Sequence, residues 1–147
     1  MAASETFAAF AWIASHRWLY PALEVVHIVG IALLLGSLVL VELRLLGFGT
    51  ALPLVPLGRF GLRLSVAGFC TAAASGTFLF LSQADELLNN RPFLVKVGLL
   101  AIAGANAWWF HRRGGLENAD AVARAQTLLS LGLWLAVIIC GRWIAYY

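Results

Sequence analysis

The chain has 147 residues, of which 62% are hydrophobic and only 12% charged. A soluble domain carries about 25% charged residues, and a chain this short has too much surface to leave so little of it charged. Most of that surface must face lipid, which excludes a secreted disulfide scaffold, a disordered chain and a soluble enzyme. The net charge of +3 does not indicate a nucleic-acid partner, because the ten Lys and Arg are scattered at the ends of apolar runs rather than clustered.

Residues 1–15 lack a basic leader, carry Glu5 and run into His16 and Arg17 without a cleavage pattern, so they read as mature protein. The segment 5–20, with Phe7, Phe10, Trp12 and Trp18, reads as a short helix lying in the headgroup region. Pro21 ends it and opens the first long apolar run, since proline is well placed at a helix start. Four runs follow, free or nearly free of charge: 25–41, 64–84, 92–110 (broken by Lys96) and 125–141. A membrane span needs roughly 17–25 apolar residues. With their flanks the runs predict four transmembrane helices near 22–46, 60–84, 92–111 and 125–146.

The connections are short: Gly47 to Gly58, Asp85 to Arg91, and His111 to Arg124. Short loops join antiparallel neighbours. The expected fold is therefore all-α, an integral membrane antiparallel four-helix bundle in a single domain. Small residues on the second and third spans would let helices approach closely. Cys70 and Cys140 lie at unequal depths, which argues against a disulfide.

Topology follows from the basic flanks. Arg44, Arg59, Arg63, Arg112, Arg113 and Arg124 fall on one side, and Arg17, Arg91, Lys96 and Arg142 on the other. Six against four places both termini in the periplasm of a bacterial inner membrane.

Ionisable groups inside a span are costly, and each is a site candidate. Glu24 and His27 are three residues apart, neighbours on one helix face near the outer end of the first span. Lys96 on the third span, and Cys140 and Arg142 on the fourth, fall at a similar level, with Trp143 and Asp85 as candidates for the rim. Glu24, His27, Lys96 and Arg142 are expected to converge, facing inward, in one layer. The competing readings are a wet helix end for Glu24, a satisfied interior histidine, snorkelling anchors for Lys96 and Arg142, and a salt-bridge cluster holding the helices in register. Glu42, Arg44, His111, Arg112 and Arg113 at the opposite end read as cytoplasmic flank. Asn106, in mid-span, reads as a residue that bonds across helices.

The run Phe93-Leu94-Val95-Lys96-Val97-Gly98-Leu99-Leu100, with Asn106 ten residues after the lysine, resembles the lysine helix of the copper-resistance protein D family. The run Leu23-Glu24-Val25-Val26-His27-Ile28-Val29-Gly30, followed by Leu43-Arg44-Leu45-Leu46-Gly47, is similar to the first helix of that family and of HemJ-type membrane protoporphyrinogen oxidases. The whole chain resembles short bacterial four-helix membrane proteins of unknown function.

The HemJ-type resemblance implies that His27 and Lys96 contact a haem or porphyrin. Three functions stay open. The first is a redox protein with one b-type haem or a porphyrin, in which His27 and neutral Lys96 are axial ligands and Arg142 pairs with a propionate. Its partner would be a quinone or a periplasmic redox protein. The second is copper transport or handling, with His27 and Cys140 as ligands, Glu24 at the entrance and a periplasmic copper protein as partner. The cationic Lys96 and Arg142 oppose a bare cation there. The third is a non-catalytic membrane subunit, including a homo-oligomer.

Overall fold

The computed structural model describes residues 7 and 9–146. All regular structure among them is helical. Six α-helices follow in order: α1 (Trp12–Ser15), α2 (Leu19–Leu45), α3 (Leu54–Ser82), α4 (Ala84–Leu87), α5 (Arg91–Arg112) and α6 (Ala121–Trp143). Short 3-10 turns lie at Gly115–Glu117 and Ile144–Tyr146. α2, α3, α5 and α6 (with its terminal turn) are each long and apolar enough to cross a membrane, the mark of a multi-pass membrane protein.

The long helices begin earlier than the charge pattern predicts, because capping rather than charge sets a helix start. α2 opens at Leu19, where His16 Nδ1 accepts the Leu19 amide at 3.1 Å. Pro21 therefore falls inside the first turn, where its missing N–H costs nothing. α3 starts at Leu54 rather than near 60, with Pro56 likewise in its first turn. α6 starts at Ala121 rather than 125, because the Asp120 carboxylate accepts the Ala123 amide at 2.8 Å. Gln83 interrupts the chain after α3, and the expected loop at Asp85 is instead the single turn α4.

The segment expected as a headgroup helix falls partly on residues 1–6 and 8, which lie outside the described residues, and its described part includes the single turn α1. Its described residues pack on α3, with Phe7 edge-on to Phe80 at 6.2 Å and Phe10 tilted on Phe78 at 6.5 Å. Ile13 is buried.

The long helices form two hairpins. In the first, α2 and α3 meet along most of their length: His27 against Gly76, Gly30 against Ala72, Ser37 against Ser65, and Val41 against Gly61. Gly30 and Gly68 are required by this approach. A Cβ on Gly30 would lie 2.6 Å from the Ala72 backbone nitrogen, and one on Gly68 would collide with the Leu34 backbone. The Ser37 and Ser65 hydroxyls, 2.7 Å apart, hydrogen-bond in the middle of the seam. In the second hairpin α5 and α6 are joined by the Asn90 amide donating to the Ile144 carbonyl (3.0 Å) and the Asn106 amide donating to the Gln126 carbonyl (3.1 Å). That second bond is the cross-helix role expected of Asn106. Cys70 and Cys140 are both free thiols.

Candidate functional site

Where the two hairpins face each other at the Asn90 end, the structure leaves a cleft of about 750 Å³. That lies within the range of about 300–1,000 Å³ common to small-molecule and cofactor sites. α2 contributes Tyr20, Glu24 and His27, α3 contributes Gly76 and Phe80, α5 contributes Phe93 and Lys96, and α6 presents Gly141. Phe80 and Phe93 stack almost parallel, with centroids 5.4 Å apart, and join the two hairpins along one wall.

His27 is held in the cleft by two polar groups of α3. Its Nδ1 lies 2.8 Å from the Ala72 carbonyl and 3.2 Å from the Ser75 hydroxyl. A carbonyl can only accept, so Nδ1 carries a proton, and in the neutral imidazole Nε2 then carries a bare lone pair. Gly76 makes this placement possible, since a Cβ there would come within 2.8 Å of the imidazole Cε1. The ring is thus keyed into a notch on α3, with one nitrogen fixed and the other uncommitted. A histidine that ligates a metal is oriented by this same bond from its second nitrogen to a carbonyl or carboxylate.

Lys96 reaches across from α5 towards α6, and its Nζ would be 3.6 Å from a Cβ placed on Gly141. Glu24 is exposed at the mouth. Three of the four expected residues, Glu24, His27 and Lys96, therefore line one cleft.

Arg142 does not join them. Its guanidinium donates to the Tyr146 hydroxyl at 2.5 Å and lies over the Tyr146 ring, 4.8 Å from the centroid. Neighbouring residues on a helix point about 100° apart, so Gly141 facing the cleft turns Arg142 away from it. Cys140 and Trp143 are also outside the lining, and Trp143 is exposed. At the rim the structure places Glu86, Asn89 and Asn90 in the lining and leaves Asp85 out.

The opposite end holds a group that the sequence misleads about. Glu42 does not belong to a solvated flank: it is 4% exposed and lines a small cavity with Asn106, Gln126 and Ser130. The nearby Arg44 does not neutralise it, because its Nε donates to the Leu52 carbonyl at 2.7 Å. The hydrophobic spacing of α2 contained the signal, since Glu42 falls one residue after the fully buried Val41 and three before the buried Leu45.

Among the described residues, no three His, Cys, Asp or Glu side chains come together as a metal cluster. No family model matches the sequence, and neither a curated protein nor a solved structure matches it.

Proposed function

We propose that this protein is an antiparallel four-helix bundle of the bacterial inner membrane that holds a b-type haem or a porphyrin in the cleft, where His27 Nε2 would hold the iron of a haem. The observation that carries the reading is the state of His27: Nδ1–H committed to the Ala72 carbonyl, and Nε2 bare in a cleft of cofactor size. The residues present suit the group. Phe80 and Phe93 offer apolar walls, and Lys96 is the one Lys or Arg among the lining residues. With Arg142 turned outward, Lys96 takes over the pairing with a propionate. Haem bound there would supply a one-electron iron couple. The protein's own part is to orient the ligating imidazole through Ala72 and Ser75 and to exclude water with its apolar walls. A quinone, which reaches the site through lipid, is the electron partner of matching chemistry. The copper reading is less well supported, because Cys140 lies outside the cleft lining. The basic flanks support an orientation with both termini in the periplasm, so alkaline phosphatase fused after Tyr147 should be active.

Haemin titrated into the purified full-length protein should give a saturable Soret band that shifts on reduction. His27→Ala should abolish it, Glu24→Gln should leave it, and Lys96→Arg should retain it while Lys96→Gln weakens binding. No band in the wild-type protein, or a band indifferent to His27→Ala, overturns the reading. A colourless protein that retains copper, lost on His27→Ala, would favour the copper alternative.

A further inference from the structure

The small cavity at the Gly47 end is independent of the cleft. Glu42 follows His27 by fifteen residues on the same helix, a separation of about 22 Å along the axis. The cavity has a volume of about 60 Å³, room for about two waters.

Its polar lining is unusual in what it leaves unsatisfied. Among the described residues, Glu42 Oε2, Asn106 Oδ1, Gln126 Oε1 and Gln126 Nε2 are all buried without a hydrogen-bond partner. Glu42 and Gln126 are 4% and 5% exposed. The orientation of Asn106 is fixed, because its amide nitrogen donates to the Gln126 carbonyl, leaving Oδ1 as the free atom. Either orientation of the Gln126 amide presents an unpaired atom, so no flip relieves it. Ser130, next to Glu42, adds a hydroxyl. Each buried polar atom left unmatched costs about 1–3 kcal/mol, and helices that meet lipid have no bulk water to relieve it.

We propose that Glu42, Asn106, Gln126 and Ser130 form a binding site for a single monovalent cation, sodium. The donors are oxygens, the hard ligands that hard cations take. A cation held among them would satisfy the carboxylate and the amide oxygens and leave one donor, Gln126 Nε2, whereas a proton on Glu42 Oε2 would serve only one acceptor. One carboxylate balances one positive charge, while a divalent ion would leave an uncompensated charge among apolar helices. The site lies between three helices, α2, α5 and α6, so a bound ion would tie the second hairpin to the first. His111 stands at the mouth. Beyond it, Arg59 is paired with Glu117 at 3.2 Å.

The test uses the purified full-length protein in detergent, with thermal unfolding followed by tryptophan fluorescence in NaCl, KCl or choline chloride at equal ionic strength. Sodium should raise Tm saturably, by roughly 3–6 °C at about ten times the dissociation constant. Potassium should do less, and choline nothing. Glu42→Gln, which keeps the shape and removes the charge, and Gln126→Leu should each flatten the sodium dependence. If either variant fails to fold, broadening of the ²³Na resonance by the wild-type protein, reversed by lithium, reports the site directly. Equal Tm in all three salts, a sodium effect that survives Glu42→Gln, or stabilisation by low pH alone without a sodium term would each overturn the proposal. Haemin binding is read separately at the cleft, so failure of one reading leaves the other standing.

Discussion

The two hairpins solve the same problem in different ways. α2 and α3 are joined through their middles, where Gly30, Gly68 and Gly61 bring backbones together and Ser37 bonds Ser65. α5 and α6 are joined nearer their ends and by side-chain polar bonds: Asn90 to Ile144 at one end, and Asn106 to Gln126 towards the other. Between these bonds few residues of α5 are buried, and several glycines face away from any neighbour. Gly98, Gly104 and Gly132 have nothing within 4 Å of a would-be Cβ, and Pro92 and Ala103 are the only buried residues of α5. Without a hydrophobic drive between helices in lipid, close packing and hydrogen bonds must hold them together. The first hairpin is closely packed along its seam, and the second meets it through the stacked Phe80 and Phe93. Both candidate sites lie where the two meet.

The strongest test of this contrast is a matched pair of substitutions. Gly30→Ala should lower Tm sharply, by an amount equivalent to about 1–3 kcal/mol, because the new methyl meets the Ala72 backbone rather than a side chain that could swing away. Gly104→Ala, in open space on α5, should be neutral or raise stability by up to about 1 kcal/mol through helix propensity. Similar effects from the two would break the comparison.

A smaller effect is expected from Asn90→Ala. Asn90 caps α5 by accepting the Phe93 amide at 3.0 Å and also holds the end of α6 through Ile144. Its loss should cost about 1–2 kcal/mol and expose the amides near Ile144 to hydrogen exchange. Loss of haemin binding with unchanged exchange would show that Asn90 acts on the cleft rather than on the hairpin.

The smallest effect concerns the α5–α6 loop. Asp120 caps α6 through the Ala123 amide and pairs with Arg113 at 2.8 Å. That amide bond, and then Arg113, hold its carboxyl below the usual carboxylate range. A depressed folded-state pKa adds stability above the unfolded value, about 3.9, and loses it as pH falls through the lower folded value. Tm should therefore fall slightly more steeply with acid in the wild type than in Asp120→Asn, below about pH 4. Parallel curves would show that the cap does not depend on the charge.

Much of the fold was legible because membrane insertion is decided by local composition. Three of the long helices contain their charge-poor runs whole and α3 contains its run up to Ser82, since a run of apolar residues is read the same way whatever packs against it. The ends were less legible, since they depend on caps such as His16 and Asp120 that charge counting overlooks. At the site, Glu24 and His27 could be paired from helical spacing alone, and Lys96 from its depth. Depth does not give the direction in which a side chain points, so Arg142 was grouped with them although it turns to Tyr146.

By itself, then, the sequence determined the number of long apolar helices, their order and the level of each ionisable residue, because these follow from hydropathy and a fixed rise per residue. The tertiary structure alone decided which faces meet. Glu42 and Arg44 stand two residues apart near the same helix end, yet one is sealed between helices and the other reaches the loop carbonyl of Leu52. That difference is set by the rotation of α2 against α5 and α6, which only the packing of the two hairpins fixes.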